Sequence, residues 1–244
     1  AELWEAVRQV TRQSKQKSPS PPTSITAIEL NNHYSSISTD NSYSAPLNKS
    51  TVTININPIS EMQVFNILDS LHHTAEGLDG LPAWFIRVAA PLFSKAIAHL
   101  FNLSISQSHV PSQWKTAIIH PIAKVKNPIV ASDFRPISVV PIISRTLEKL
   151  VVRSHLYPIL VNPSCCHLFK DQHAFRPTGS TTAAIISILH TITNILSDNP
   201  YAILISLDFA KTFDTVRYSS LLDKVSSLLI PDQIYNWIAS YLEN

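Results

Sequence analysis

Hydrophobic positions become regular only from Ser60 onward. There SEMQ has the form of a capping box, with Ser60 as N-cap and Gln63 three residues on. Met62, Phe65, Leu68 and Leu71 then recur at the spacing of one helix face. GLDGLP (77–82) reads as a turn, with Pro82 suited to the first position of the next helix. A helical stripe runs through Trp84, Phe85, Val88, Leu92, Phe93, Ala96, Ile97, Leu100 and Phe101 to about Ser106, and Pro91 is expected to divide it in two. WKTAIIHPIAK (114–124) predicts a strand, placed at an edge or end by Pro121. Helices are expected over 144–158 and 180–197, the second burying Ala184, Ile185, Ile188, Leu189, Ile192 and Ile195. A strand at 201–207 follows, then a helix over 219–229 and one from Pro231 carrying Ile234, Trp237, Ile238 and Tyr241. Helices flanking a few strands without strict alternation predict an α+β fold, and no internal repeat is visible.

Residues 13–57 differ in kind. Ser, Pro, Asn and Thr dominate them, too little apolar surface to offset the entropy of ordering. The expected organisation is an N-terminal extension or linker over 1–57, partly disordered and with one short helix in ITAIELNNHYSSI, followed by a folded domain over 58–244.

Charge changes the picture through its distribution. The net charge of +2 is nearly neutral, yet seven Lys/Arg fall between Lys115 and Arg153 against two acids. From Asp198 onward the balance reverses, with six acids against Lys211, Arg217 and Lys224. A basic middle beside an acidic end suits a polyanion that must meet a cation-binding site. The two cysteines, Cys165 and Cys166, are adjacent, which leaves no ordinary disulfide framework or zinc constellation and fits an intracellular protein, nuclear or cytoplasmic. No stretch approaches the roughly 18–20 apolar residues of a membrane span, and the polar start without Met suggests an internal piece of a longer chain. Three glycines, at 77, 80 and 179, form neither GxGxxG nor a P-loop. His72, His73 and His120 have no partners at metal-ligand spacing.

Candidate chemistry concentrates in YAILISLDFAKTFDTVR (201–217). Apolar residues on both parities, Ile203, Ile205 and Leu207 with Leu204 between, describe a strand buried on both faces. Ending it on Asp208 would deliver a carboxylate rigidly to the sheet's edge, although an aspartate there also suits a plain turn cap. Response-regulator and nuclease folds place Asp similarly, so a general metal-dependent phosphotransferase is a further reading. It would need more acids at the ends of neighbouring strands, and no other predicted strand ends on one.

LDFAKTFDTV (207–216) closely resembles the LDFSKAFDTV motif of reverse transcriptases from non-LTR (LINE-type) retrotransposons. DGLP (79–82), WKTAIIHPIAK (114–124), DFRPISVVPIISRTLEKLV (133–151), QHAFRPTGSTTAAI (172–185) and LLDKV (221–225) resemble that family's blocks in order and rough spacing. The resemblance implies the fingers and a partial palm of a right-hand polymerase, helix-rich with an incomplete antiparallel palm sheet. It makes Asp208 the first catalytic, metal-binding aspartate, joined by the Phe209 carbonyl on Mg²⁺, of which the complete enzyme holds two. Two-metal phosphoryl transfer places such ions about 3.5–4 Å apart, and magnesium takes hard oxygen ligands. Phe213 matches the aromatic gate beneath the incoming sugar, core packing being the alternative. Arg135 and Lys124 match cations that grip the dNTP triphosphate, with an ordinary solvated lysine the alternative at 124. Gln172, Arg176, Ser180 and Thr181 match template- and primer-contacting groups. Where the family commonly has GFR, this chain has Ala174-Phe175-Arg176, which raises the question of whether the turn needs glycine. For Asp214 a structural hydrogen bond is the preferred reading.

No Asp-Asp pair occurs in the 244 residues, so the family's aromatic-Ala-Asp-Asp block is expected in a missing C-terminal palm and thumb, and the chain alone is expected to be inactive. The implied partners are an RNA template, a DNA primer and dNTPs, without a membrane, and the implied activity is target-primed reverse transcription. A non-catalytic nucleic-acid-binding remnant is the alternative function.

Overall fold

A computed structural model describes residues 25–37, 43, 47–49, 56–162, 171–176, 179–209 and 211–243. Two compact units divide the chain: Ala1–Thr39 with Ile118–Val139, and Asp40–Ala117 with Val140–Asn244. The expectations for residues 1–24 and for Cys165 and Cys166 lie outside the described residues.

Among the described residues the first unit has one helix on one hairpin. Helix α1 (Ala27–Ile37) is the helix expected within the polar N-terminal stretch. Thr26 and Glu29 cap it reciprocally, the Glu29 carboxylate accepting the Thr26 N–H at 2.7 Å and the Thr26 hydroxyl accepting the Glu29 N–H at 3.2 Å. Leu30 and Tyr34 bury against Phe134. Strands β1 (Ile118–Ala123) and β2 (Phe134–Val139) pair antiparallel, Ile118 opposite Val139 and Pro121 opposite Pro136. The Lys124 N–H donates to the Asp133 carbonyl at 2.7 Å, which makes 124/133 a hydrogen-bonded pair. By alternation 121/136 is a non-hydrogen-bonded pair, whose N–H positions point away from the partner strand. Both prolines therefore stand where the missing donor costs the ladder nothing, and they blunt both outer edges of the hairpin. The expected strand starts later than WKTAIIHPIAK suggests, because Trp114 lies in a short helical turn, α4 (Ser112–Lys115).

The second unit is helical. In α2 (Glu61–Asp69) the capping box is complete: the Ser60 hydroxyl accepts the Gln63 N–H, and the Gln63 amide oxygen accepts the Ser60 N–H at 2.8 Å. Val64, Ile67 and Leu68 are its buried face; of the expected stripe Leu68 is buried, Phe65 and Leu71 pack against the core in part, and Met62 is exposed. Helix α3 (Ala83–Ser106) runs unbroken through Pro91. Pro91 lies on the solvent side, where the Arg87 carbonyl it leaves unbonded can reach water, while Ile86, Ala90, Ile97 and Phe101 face the core. By length and composition α3 could cross a membrane, yet ten of its residues are buried within this unit. Helix α5 (Ile142–Val151) continues through a π-turn (Val152–Leu156) into α6 (Tyr157–Leu160). Helices α7 (Thr181–Asp198), α8 (Tyr218–Ser226) and α9 (Asp232–Leu242) follow among the described residues.

A closed circuit of contacts joins α3, α4, α5 and α9. The Trp237 indole N–H donates to the Ser104 hydroxyl at 3.0 Å, and its ring stacks on Tyr241 with centroids 5.7 Å apart. Tyr241 donates to Glu148 Oε1 at 2.8 Å. Burial, and then the Glu148 charge, push the Tyr241 phenol well above its ordinary range, so it stays a donor. Ser144 meets both Glu148 and the Trp114 carbonyl, and the Trp114 ring packs edge-on to Phe101 at 5.9 Å. Two asparagines hold extended backbone to this core as a neighbouring strand would. Asn102 exchanges two 2.8 Å hydrogen bonds with Ile59, and buried Asn236 accepts the Lys49 N–H at 2.9 Å and donates to its carbonyl at 3.0 Å. Lys49, in the stretch expected to be linker, also donates to the Ser226 carbonyl and lies 4.8 Å over the Tyr235 ring.

The GLDGLP turn docks on α5. Arg145 donates to the Thr74 hydroxyl and the Ala75 carbonyl, both at 2.8 Å, and a Cβ on Gly77 would stand 2.6 Å from Pro141 Cα. Gly80 supplies the positive φ of the turn, 63°.

The expected strand at 201–207 is absent: residues 201–209 form no ladder, and Ile203, Leu204, Ile205 and Leu207 are exposed. A strand buried on both faces needs neighbours to pair with and layers to cover it, and among the described residues the one sheet is β1–β2. Helix α7 forms with the expected bounds but buries no residue, and Ile185, Ile188, Leu189 and Ile195 of its expected inner face are exposed.

Two outcomes follow. Gly77→Ala forces a methyl into the Pro141 backbone and is expected to lower unfolding free energy by about 1–3 kcal/mol in urea titration. His155, in the π-turn, has its pKa lowered by burial. The unfolded chain then takes up the proton more readily, so this contribution is full above the ordinary value of 6.5 and is lost as pH falls through the depressed folded pKa. His155→Gln should flatten the decline in urea midpoint between about pH 7 and 5 relative to the parent.

Candidate functional site

In the first unit the hairpin presents cations. Phe134 turns towards α1, so strand alternation puts Arg135 on the opposite, exposed face, across from Ile122. Lys124 continues that face two residues beyond Ile122. Its side chain is exposed, and its ammonium donates to the Ser132 carbonyl at 2.8 Å across the hairpin loop. In the same loop, Asp133 accepts the N–H groups of Ile129 (2.8 Å) and Val130 (3.1 Å). Those bonds, with a smaller effect of Lys124, hold its carboxyl below the usual range.

In the second unit the 172–181 block is organised by its backbone. The Gln172 amide donates to the Ala174 carbonyl at 3.0 Å, and Arg176 reaches the Gln172 carbonyl at 3.5 Å. The left-handed residue of the turn is Phe175 (φ 58°), not Ala174, so the absence of glycine at 174 costs nothing. Glycine is required at 179, where a Cβ would run into the His173 carbonyl. Ser180 is the N-cap of α7, its hydroxyl accepting the Ala183 N–H at 3.0 Å, and Thr181 opens the helix exposed to solvent.

Asp208 and Phe209 are exposed at the end of the unpaired 201–209 segment. The Phe209 carbonyl accepts the Thr212 hydroxyl at 2.9 Å. Lys211 (φ 53°) begins a turn in which its carbonyl accepts the N–H groups of Asp214 (2.9 Å) and Thr215 (3.1 Å). Phe213 is 77% exposed. Its ring meets that of Phe175 edge-on, with centroids 5.9 Å apart at 88°. The pairing brings two of the sequence blocks together, and nothing in their spacing signals it.

Asp208 and the Phe209 carbonyl offer hard oxygen donors of the kind magnesium takes, but too few of them for a two-ion centre. Among the described residues no group of three or more His, Cys, Asp or Glu could hold a metal ion. The described residues thus offer part of the donor set that the implied Mg²⁺ pair requires. A second feature escaped the sequence reading, an apolar groove of about 620 Å³ lined by Leu81, Phe85, Phe93, Leu100, Trp114 and Pro141. The signal was there in the apolar stripe of α3, which is wider than the one face the core covers.

The chain belongs to the reverse transcriptase (RNA-dependent DNA polymerase) family, whose model matches residues 122–244. It is similar to the RNA-directed DNA polymerase from mobile element jockey of Drosophila melanogaster, 28% identical over 170 residues, or 69% of this chain and 18% of that protein. The jockey polymerase of Drosophila funebris is 28% identical over 188 residues, 76% of this chain and 20% of that protein. The Retrovirus-related Pol polyprotein from type-1 retrotransposable element R2 of Popillia japonica is 23% identical over 190 residues, 77% of this chain and 25% of that protein. The chain thus spans about a fifth of the length of the jockey polymerases it matches.

Proposed function

We propose that this chain is the fingers and first part of the palm of a non-LTR retrotransposon reverse transcriptase, which extends a DNA 3′-end on an RNA template. The observation that carries the reading is the extent of the family match: residues 122–244 contain Lys124, Arg135, the 172–181 block and Asp208 in the order in which the resemblance assigns them roles. Asp208 would contribute one carboxylate to the cation centre, with the remaining ligands supplied by the rest of the polymerase. Arg135 suits a triphosphate because its guanidinium can contact two phosphate oxygens at once and because the hairpin holds it exposed. Gln172, Arg176, Ser180 and Thr181 would lie along the template and primer backbone, where polar contacts position a strand without reading its sequence. Phe213, exposed and beyond Asp208, suits a ring that meets the nucleotide sugar.

In the full-length polymerase Asp208→Asn should reduce primer extension to background while RNA binding keeps its affinity and salt slope. Arg135→Gln should lower kcat/KM for dNTPs by about 10- to 100-fold, the worth of a hydrogen bond to a charged group. Extension that survives Asp208→Asn would sink the reading. RNA binding without extension by the unsubstituted full-length protein would favour the non-catalytic remnant. Translation beyond codon 244 gives an independent check, an aromatic-Ala-Asp-Asp block in frame being the expected result.

A further inference from the structure

We propose that Phe175 is a positioning residue for the Phe213 ring, and so sets how strictly the polymerase distinguishes deoxynucleotides from ribonucleotides. The proposal rests on the reading of Phe213 as the residue that meets the sugar. A sugar-sensing ring must be held against the rotations its own side chain allows, because a clash that selects against one hydroxyl works only if the ring cannot swing aside. Phe213 is 77% exposed and extends from a turn, so the protein core does not hold it. The aromatic contact it makes is the edge of Phe175, at 5.9 Å and 88°, a favoured geometry for two rings.

Phe175 is placed for this at a cost. It is a bulky residue at φ 58°, a conformation that favours glycine, and it is itself 80% exposed. A bulky side chain held at a positive φ is an outlier of the kind that clusters at functional sites. Its backbone is also pinned. The Gln172 amide donates to the Ala174 carbonyl at 3.0 Å, and the Gly179 N–H donates to the Arg176 carbonyl at 3.1 Å. Lys211, which opens the turn bearing Phe213, takes a left-handed conformation too, at φ 53°. Two strained turns thus present two rings to each other.

The test measures kcat/KM for a dNTP and its matching rNTP in the full-length polymerase carrying Phe175→Ala, Phe175→Tyr, Phe213→Ala or the Phe175→Ala/Phe213→Ala pair. Phe175→Ala is expected to lower the dNTP/rNTP ratio by about 3- to 10-fold, the range one aromatic contact supports, with dNTP incorporation kept within about twofold. Phe175→Tyr should retain the ring edge and the parental ratio, and the double variant should discriminate no worse than Phe213→Ala alone. A ratio unchanged by Phe175→Ala, or dNTP and rNTP rates falling in parallel, overturns the proposal while Phe213→Ala still relaxes selection. A ratio unchanged by Phe213→Ala instead removes the sugar-gate reading, and this proposal falls with it. Both rings are exposed here, so neither truncation opens a cavity in the core of the described chain.

Discussion

The contact on which the second unit depends is the Trp237 side chain in its place between α3 and α9. Its indole N–H has one partner, the Ser104 hydroxyl, and its ring has one stacking neighbour, Tyr241. From there the circuit passes through Glu148 and Ser144 to Trp114 and returns to α3 at Phe101. Each polar group in it is only partly accessible to water, so each must be answered within the protein. The partner of each is fixed by another member, and that mutual dependence sets how α5 lies against α3. The position of α5 in turn fixes the seat of the GLDGLP turn, because Arg145 and Pro141, which receive that turn, belong to the same helix and its cap.

What the sequence made legible was local. The Ser60 capping box, the Ser180 N-cap, the bounds of α7 and the helix from Pro231 all follow from residues within a few positions of one another. Pro91 misled because its effect depends on which side of the helix it occupies, which the wide apolar stripe of α3 did not reveal. Buried α7 and buried 201–207 were misread for a related reason. An apolar pattern records that a segment can be covered, whereas covering it requires other chain, and the described residues do not supply it. The asparagine clamps at Asn102 and Asn236 left no sequence signal, since Lys49 and Asn236 are 187 positions apart.

The candidate site divides the same way. Residue types and order pointed to the family, and the family match bears that out. Local placement added particulars: Lys124 donates to the Ser132 carbonyl, the left-handed residue of the 172–176 turn is Phe175 rather than Ala174, and Phe213 is exposed. The contact between Phe175 and Phe213 joins positions far apart in sequence, and only the fold could disclose it.

The opposed prolines of the hairpin have one more consequence. With Pro121 and Pro136 at mid-strand, neither outer edge of β1–β2 offers an uninterrupted row of donors, so this sheet cannot recruit a third strand by simple addition. Residues 202–207, AILISL, have the opposite character, with no proline and no charge. Within one chain, then, one β element is sealed against growth while another is a ready seed for cross-β stacking until a strand pairs with it. Aggregation of this protein would therefore begin at AILISL and spare the hairpin.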